Sequence, residues 1–248
     1  MDALATAARA LRAARGVVVL SGAGASAESG LPTFRDADGL WRGHDPLRLA
    51  TPEGFERDPA LVSEWYDLRR LAALAASPNA AHTALVDLER HVLRAGGRFC
   101  LLTQNVDGLH QRAGSKHVVE LHGSITVWRD DRSGRTVVPG PEPLRSYPER
   151  GPDGGWLRPN VVWFGERLPD AALRAAEESL RWCEALVVVG TSALVYPAAG
   201  VITAAAAAGA VTIEVNREAS AATVDVRLIG RAGAVVPQLV AAVVDHRV

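Results

Sequence analysis

Apolar residues in this chain follow two spacings. Short unbroken runs rich in β-branched residues occur at GVVVL (16–20), FCLL (99–102), HVVEL (117–121), ALVVV (185–189) and AVTIEV (210–215). TVDVRLI (223–229) makes a sixth. Between them lie Ala- and Leu-rich stretches whose apolar positions recur every three or four residues. These are the start of the chain as far as a stop at Gly16, then NAAHTALVDLERHVLRAG (79–96), DAALRAAEESLRWCE (170–184) and AGAVVPQLVAAVVDHR (232–247). Unbroken runs alternating with helices predict a parallel sheet covered on both faces.

Two stretches break the alternation. One is a helical insertion at 36–76 holding LVSEWYDLRRLAALA, and the other is the Pro-, Gly-, Arg- and Asp-rich interval 123–158. The expected architecture is therefore α/β, a Rossmann-like sheet with helices on both faces. Its large part takes in 1–35, 77–122 and 159–248, and the two insertions form a small lobe.

Small polar clusters follow the runs: SGAGASAESG, TQNVDGLH, HGS, GTS and NRE. Turn chemistry explains one or two of these, but five argue for one shared cleft beyond the carboxyl ends of the strands. Gly22, Gly24 and Ala27 match G-x-G-x-x-A directly after a strand. This pattern predicts a tight turn, close backbone approach to a pyrophosphate and a helix N-terminus facing it. The acid-ended strand that a dehydrogenase carries about twenty residues later is absent, because LPTFRDADGLW follows instead. Hydride transfer is thus disfavoured.

Composition narrows the partners. A chain of 248 residues, 48% hydrophobic, can bury a full core. Its net charge of −1 gives no footprint for nucleic acid. Cys100 and Cys183 are too few for a disulfide framework or a four-cysteine metal site. The uncharged segment 193–213 reads as a buried helix, with Pro197 in its first turn and Gly209 past its end, followed by a strand. The start lacks the apolar core of a signal peptide. We expect a cytoplasmic monomer with no membrane association.

The stretches GAGASAESGLPTFRDADGLW, TQNVDGLHQRAG, ELHGS, RPNVVWFGE, VGTSALVYPAA and VNRE, in that order, resemble the sirtuin family of NAD-dependent protein deacylases. The resemblance implies NAD as co-substrate and acylated-lysine proteins or peptides as partners. Gly22, Ala23, Gly24, Ala27 and Glu28 match the family's phosphate turn, and Phe34, Arg35 and Trp41 its cofactor loop. Gln104, Asn105 and Asp107 match the nicotinamide and ribose end, the plainer reading of Asn105 and Asp107 being an Asx turn before Gly108. Gly190, Thr191, Ser192, Asn216, Arg217, Glu218 and Ala232 match the adenosine side.

His122, in ELHGS, matches the family's general base; His110 is the second candidate. In the family's reaction the acyl oxygen attacks the anomeric carbon as nicotinamide leaves, and the base then helps a ribose hydroxyl attack the resulting imidate. Catalytic roles are expected for His122, Asn105 and Asp107. Val162, Phe164 and Gly165 match the segment that pairs with an extended peptide.

Tyr66 and Arg69 share one helical face and resemble the Tyr-x-x-Arg of sirtuins that remove succinyl, malonyl or glutaryl groups. The plainer reading is an amphipathic helix with its Arg in solvent. Most sirtuins hold a structural zinc on two Cys-x-x-Cys pairs within the second insertion, whereas 123–160 contains neither cysteine nor histidine. We expect no zinc, and a lobe held by apolar packing of Val127, Trp128, Val137, Leu144, Tyr147 and Trp156. The rival readings are NAD hydrolysis or ADP-ribosyl transfer from the same cleft, and a non-catalytic NAD-binding module.

Overall fold

Unbroken apolar runs become strands with both faces covered, and their order in the sheet creates the crevice. The computed structural model describes residues 2–32, 45–192 and 198–245. Helix α1 (Ala3–Ala13) leads into β1 (Gly16–Ser21). Then come α2 (Pro46–Leu49), α3 (Pro52–Arg57), α4 (Pro59–Ala75), α5 (Ala80–Arg94), β2 (Arg98–Thr103), α6 (Leu109–Ala113) and β3 (Val118–Glu120). Strands β4 (Gly123–Asp130), β5 (Thr136–Val137) and β6 (Leu157–Val161) follow. The chain continues through α7 (Asp170–Arg181), β7 (Ala185–Val189), α8 (Ala198–Ala207), β8 (Val211–Asn216), β9 (Val226–Ile229) and α9 (Ala232–Val244).

The six expected strands form one parallel sheet in the order β3-β2-β1-β7-β8-β9. Strand order therefore reverses between β1 and β7, which is where an open α/β sheet leaves a crevice above its carboxyl ends. Strand pleating divides β1 between two cores. Val17 and Val19 pack with Leu11, Leu85, Leu88, Val236 and Leu239 of α1, α5 and α9. Val18 and Leu20 pack with Ala172, Ala176, Val201 and Ile202 of α7 and α8. Each such buried Val or Leu contributes about 1.5–3 kcal/mol.

Helix α1 ends at Ala13, three residues before the expected stop. Gly16 instead opens β1, where a Cβ would run into the Trp182 carbonyl. Asn79 caps α5 by accepting from the Ala81 N–H at 2.9 Å, while His82 Nδ1 accepts from the Asn79 N–H at 3.2 Å. The segment after 197 forms α8 and then β8, with Gly209 at φ +86 between them; Pro197 lies outside the described residues. No helix among the described residues is long and apolar enough to cross a membrane.

A second, antiparallel sheet in the order β5-β4-β6 packs on α4. Trp65, Tyr66, Ile125, Trp128, Leu157, Val161 and Trp163 form its core, with Val137, Leu144 and Trp156 against them. Val127 lies outside that cluster, and Tyr147 serves a polar role: its hydroxyl donates to Asp67 at 2.8 Å. Asp67 also accepts from the Leu144 N–H (2.9 Å) and from Arg70 Nε (2.7 Å). Arg70 in turn donates to the carbonyls of Gly140 (2.5 Å) and Glu142 (2.7 Å). The interval is thus tied to α4 by a fully buried ion pair as well as by apolar packing. The hydrophobic pattern carries no sign of that pair.

Candidate active site

The two loops that flank the switch in strand order meet backbone to backbone. The Gly22 N–H donates to the Val189 carbonyl at 2.9 Å, and the Gly24 N–H to the Gly190 carbonyl at 2.8 Å. A Cβ on Gly24 would stand 2.8 Å from Gly190 Cα, and one on Gly22 2.8 Å from Thr191 Cβ. Gly190 has φ +62, and a Cβ there would strike the Ala25 amide nitrogen. These glycines are therefore required by close approach.

The chain past Gly24 departs from expectation. Two 3₁₀ turns, Ala23–Ala25 and Ala27–Ser29, end at Gly30 (φ +82), and no α-helix follows the turn within residues 22–32. Ala27 opens the second turn. Glu28 reaches across to α9 and accepts the Gly233 N–H at 2.6 Å, which sets the glycine turn beside Ala232. Phe34, Arg35 and Trp41 lie outside the described residues.

Residues after β2 bind the rim together. Asn105 Nδ2 donates to the Gly22 carbonyl and to Ser26 Oγ, both at 3.0 Å, and Ser26 Oγ donates to Asp107 Oδ2 at 2.7 Å. Asp107 Oδ1 accepts the Leu109 N–H at 2.9 Å, so the Asx turn is present as well and starts α6. Gln104 Nε2 donates to Thr191 Oγ1 at 3.0 Å, and Asn216 Nδ2 donates to the Thr191 carbonyl at 2.9 Å. Ser192 is half-buried beside Thr191, whereas Arg217 and Glu218 are exposed.

Beneath this rim lies a buried polar layer. Ser21 Oγ donates to Thr103 Oγ1 at 2.8 Å and stands 2.8 Å from His110 Nε2. The His110 ring lies 4.8 Å from that of His82, and His82 Nε2 is 3.4 Å from Ser26 Oγ. Burial, and then the neighbouring His82, push the His110 pKa down to about 3. His110 is only 1% exposed, so it is a neutral strut and not the second candidate base. Ser26 and His82 were missed as site residues by sequence reasoning. Ser26 sits inside a quoted cluster, and His82 lies three residues after its cap partner Asn79.

His122 follows β3, and its Nδ1 lies 2.9 Å from the Gln104 carbonyl. A carbonyl can only accept, so Nδ1 carries the proton and Nε2 presents a lone pair. Burial lowers the pKa, partly offset by that hydrogen bond, and so favours the neutral ring. Gln104 also donates its N–H to the Ser21 carbonyl at 2.9 Å, which places the imidazole close to the glycine turn.

Helix α4 packs against the segment after β6, whose Val162 adjoins His122. Tyr66 is 4% exposed, with ring centroids 4.6 Å from Trp65 and 6.1 Å from Trp163. Burial raises the Tyr66 pKa, and the Arg69 charge opposes that rise. Burial lowers the Arg69 pKa, with Tyr66 opposing. Its guanidinium is 5.0 Å from the Trp65 ring, and the residue is half-buried. Val162 donates its N–H to the His122 carbonyl and Phe164 donates to the Ala50 carbonyl, both at 2.9 Å. Phe164 is 43% exposed, Gly165 has φ +88, and Trp163 belongs to the core.

The chemistry of this cleft fits a dinucleotide. Tight glycine turns, a carboxamide, hydroxyls and a lone-pair nitrogen line the carboxyl ends of the strands, where phosphates and ribose hydroxyls are ordinarily held. Among the described residues no group of three or more His, Cys, Asp or Glu is placed to hold a metal ion. Asp130, the carboxylate buried in the second insertion, accepts the N–H groups of Arg132, Ser133, Asp153 and Gly155 at 3.0–3.1 Å.

Known proteins resemble this chain in sequence and in fold. A profile of the Sir2 family matches residues 22–197. A Thermus thermophilus protein named NAD-dependent protein deacylase is 48% identical over 235 residues, spanning 95% of this chain and 92% of its own. A solved Sir2 homologue in complex with 2′-O-acetyl ADP ribose is 41% identical with a TM-score of 0.87, covering 95% of this chain and 94% of its own. The structure of Sir2Af2 bound to a myristoylated histone peptide is 34% identical with a TM-score of 0.76, covering 98% and 96%.

Proposed function

The chain belongs to the Sir2 family of NAD-dependent protein deacylases, and from that premise we propose that it moves acidic acyl groups, succinyl, malonyl or glutaryl, and also acetyl, from protein lysines to ADP-ribose. The observation that carries the reaction is the tautomer of His122. Its proton is held on Nδ1 by the Gln104 carbonyl, which leaves Nε2 to accept one. NAD, when bound, supplies an anomeric carbon with nicotinamide as a good leaving group, to be captured by the acyl oxygen.

The chain's own groups do the rest. The turn from Gly22 to Glu28, with Gly190, Thr191 and Ser192, holds the phosphates, and Asn216, Arg217, Glu218 and Ala232 hold the adenosine. Asn105 and Asp107, fixed through Ser26, orient the nicotinamide end, and Gln104 positions both His122 and Thr191. His122 Nε2 takes a proton from a ribose hydroxyl. Val162, Phe164 and Gly165 take the substrate backbone. The Val162 and Phe164 N–H groups are engaged within the protein, which leaves their carbonyl oxygens for the substrate backbone.

Acyl choice rests on Tyr66 and Arg69. A guanidinium whose charge is disfavoured by burial gains most from an incoming carboxylate, and its fork matches two oxygens. The test is one peptide carrying acetyl- or succinyl-lysine, assayed with NAD in wild type and Arg69→Met. Succinyl turnover should fall about 10- to 100-fold, the loss of a charge-assisted bond, with acetyl turnover nearly unchanged. Equal losses on both acyl groups would remove the carboxylate clamp.

A further inference from the structure

Beside the peptide segment lies a second concavity of about 280 Å³, lined by Gly123, Arg129, Asn160, Val162, Glu166 and Arg167 among others. It shares Val162 with the site already described and adjoins it at a second residue. Gly123 follows His122, and Val162 donates its N–H to the His122 carbonyl. An occupant of this pocket is therefore close to the reacting end of the cleft.

Its charges do not balance. Glu166 is the one carboxylate in the lining, and it is already satisfied. Arg158 grips both of its oxygens, at 2.7 and 3.0 Å, while stacked 3.3 Å over the Trp163 ring. The Trp163 N–H adds a third bond at 2.9 Å. Arg129 comes within 3.6 Å of the same carboxylate and 3.5 Å of Asn160 Oδ1. Two guanidinium groups thus share one negative charge. Arg129 registers the excess: burial lowers its pKa first, the Arg158 charge lowers it further, and Glu166 only opposes. Arg167 adds a cation that is 90% exposed, and its contact with Asp170 is long, at 4.0 Å, and open to solvent. An exposed pair of that kind neutralises little.

We propose that this pocket is a substrate subsite for a carboxylate side chain, an Asp or Glu near the acyl-lysine, read by Arg129 from within and Arg167 from the rim. The inference rests on the deacylase reading and names a feature of its protein substrates. It requires selection for sequence around the lysine, separate from selection for the acyl group by Tyr66 and Arg69.

The experiment uses succinyl-lysine peptides in which each flanking position in turn carries Asp or its neutral isostere Asn, with nicotinamide release as the readout. At one position Asp should be preferred about five- to tenfold, the scale of an ordinary net hydrogen bond, since Arg129 already shares Glu166. The preference should appear in KM and not in kcat, and should shrink as salt is raised. Arg129→Gln should abolish it and Arg167→Gln, at an exposed position that does not endanger folding, should weaken it, with the KM for NAD unchanged in both. Release that is blind to Asp at every position removes the subsite and leaves the deacylase standing, as does a preference that survives the double variant. If no peptide triggers release in wild type, the deacylase reading falls and the subsite falls with it.

Discussion

A single hydrogen bond sets the chemistry assigned to His122. Because the Gln104 carbonyl can accept only from a protonated Nδ1, the ring is oriented and Nε2 is basic before any ligand arrives. His122→Ala should cut turnover about 10²- to 10⁴-fold, the usual worth of general base catalysis, while NAD binding persists; an NAD-binding module would keep its function. The pH dependence follows from the sign of the shift. Burial depresses the His122 pKa, so the ring is neutral above that value and is protonated only as pH falls through it. The acid limb of kcat/KM should therefore lie below the ordinary imidazole value of about 6.5. An acid limb above neutrality would contradict the assignment. The same scale shows why His110 failed as a candidate. It shares the motif-like setting of His122, but its ring points into a buried layer against Ser21 and His82.

At the scale of elements, the second insertion shows how an interval without cysteine or histidine is closed. Both ends of the interval return to the Asp130 carboxylate, which takes N–H groups from the turn after β4 and from the turn before β6. Burial alone would raise the Asp130 pKa, but these four bonds outweigh it and hold the group below the usual carboxylate range. We propose that this carboxylate takes the place of a structural zinc. Asp130→Ala should lower the melting temperature, because four backbone N–H groups lose their acceptor, while chelator leaves the wild-type melting curve unmoved. Stoichiometric zinc in pure protein would overturn this. The depressed pKa also sets a window: the contribution is present above the unfolded-state value and is lost as pH falls through the folded-state value.

At the scale of the whole molecule, the cleft exists because strand order reverses between β1 and β7, and because two glycine loops touch there. NAD at about 100 times its Kd should stabilise the fold by about 2.7 kcal/mol, a rise of about 5–10 °C in melting temperature. Gly190→Ala puts a Cβ against the Ala25 amide at φ +62 and should remove most of that rise. An undiminished rise, read by a thermal shift assay, would show that the two loops do not jointly form the phosphate site.

Local pattern was enough for the six strands of the parallel sheet, most of the helices, the five polar strand ends and the motif residues around them, because each depends on neighbours only a few positions away; it did not reveal β4, β5 and β6, whose interval is rich in Pro, Gly and charge. The covalent order of residues also placed Asn105, Asp107 and His122 in one cleft once a parallel sheet was inferred. What only the tertiary structure decided were contacts between distant residues: Glu28 with Gly233, Asp67 with Tyr147, Asp130 with Gly155, and Ser26 with Asn105 and Asp107. The helix expected after Gly24 gave way to two short turns for the same reason, since the backbone there is held by the loop after β7. Hydrophobic periodicity records which face of an element is buried. It holds no information about which polar groups, far apart along the chain, will be carried together when those faces close.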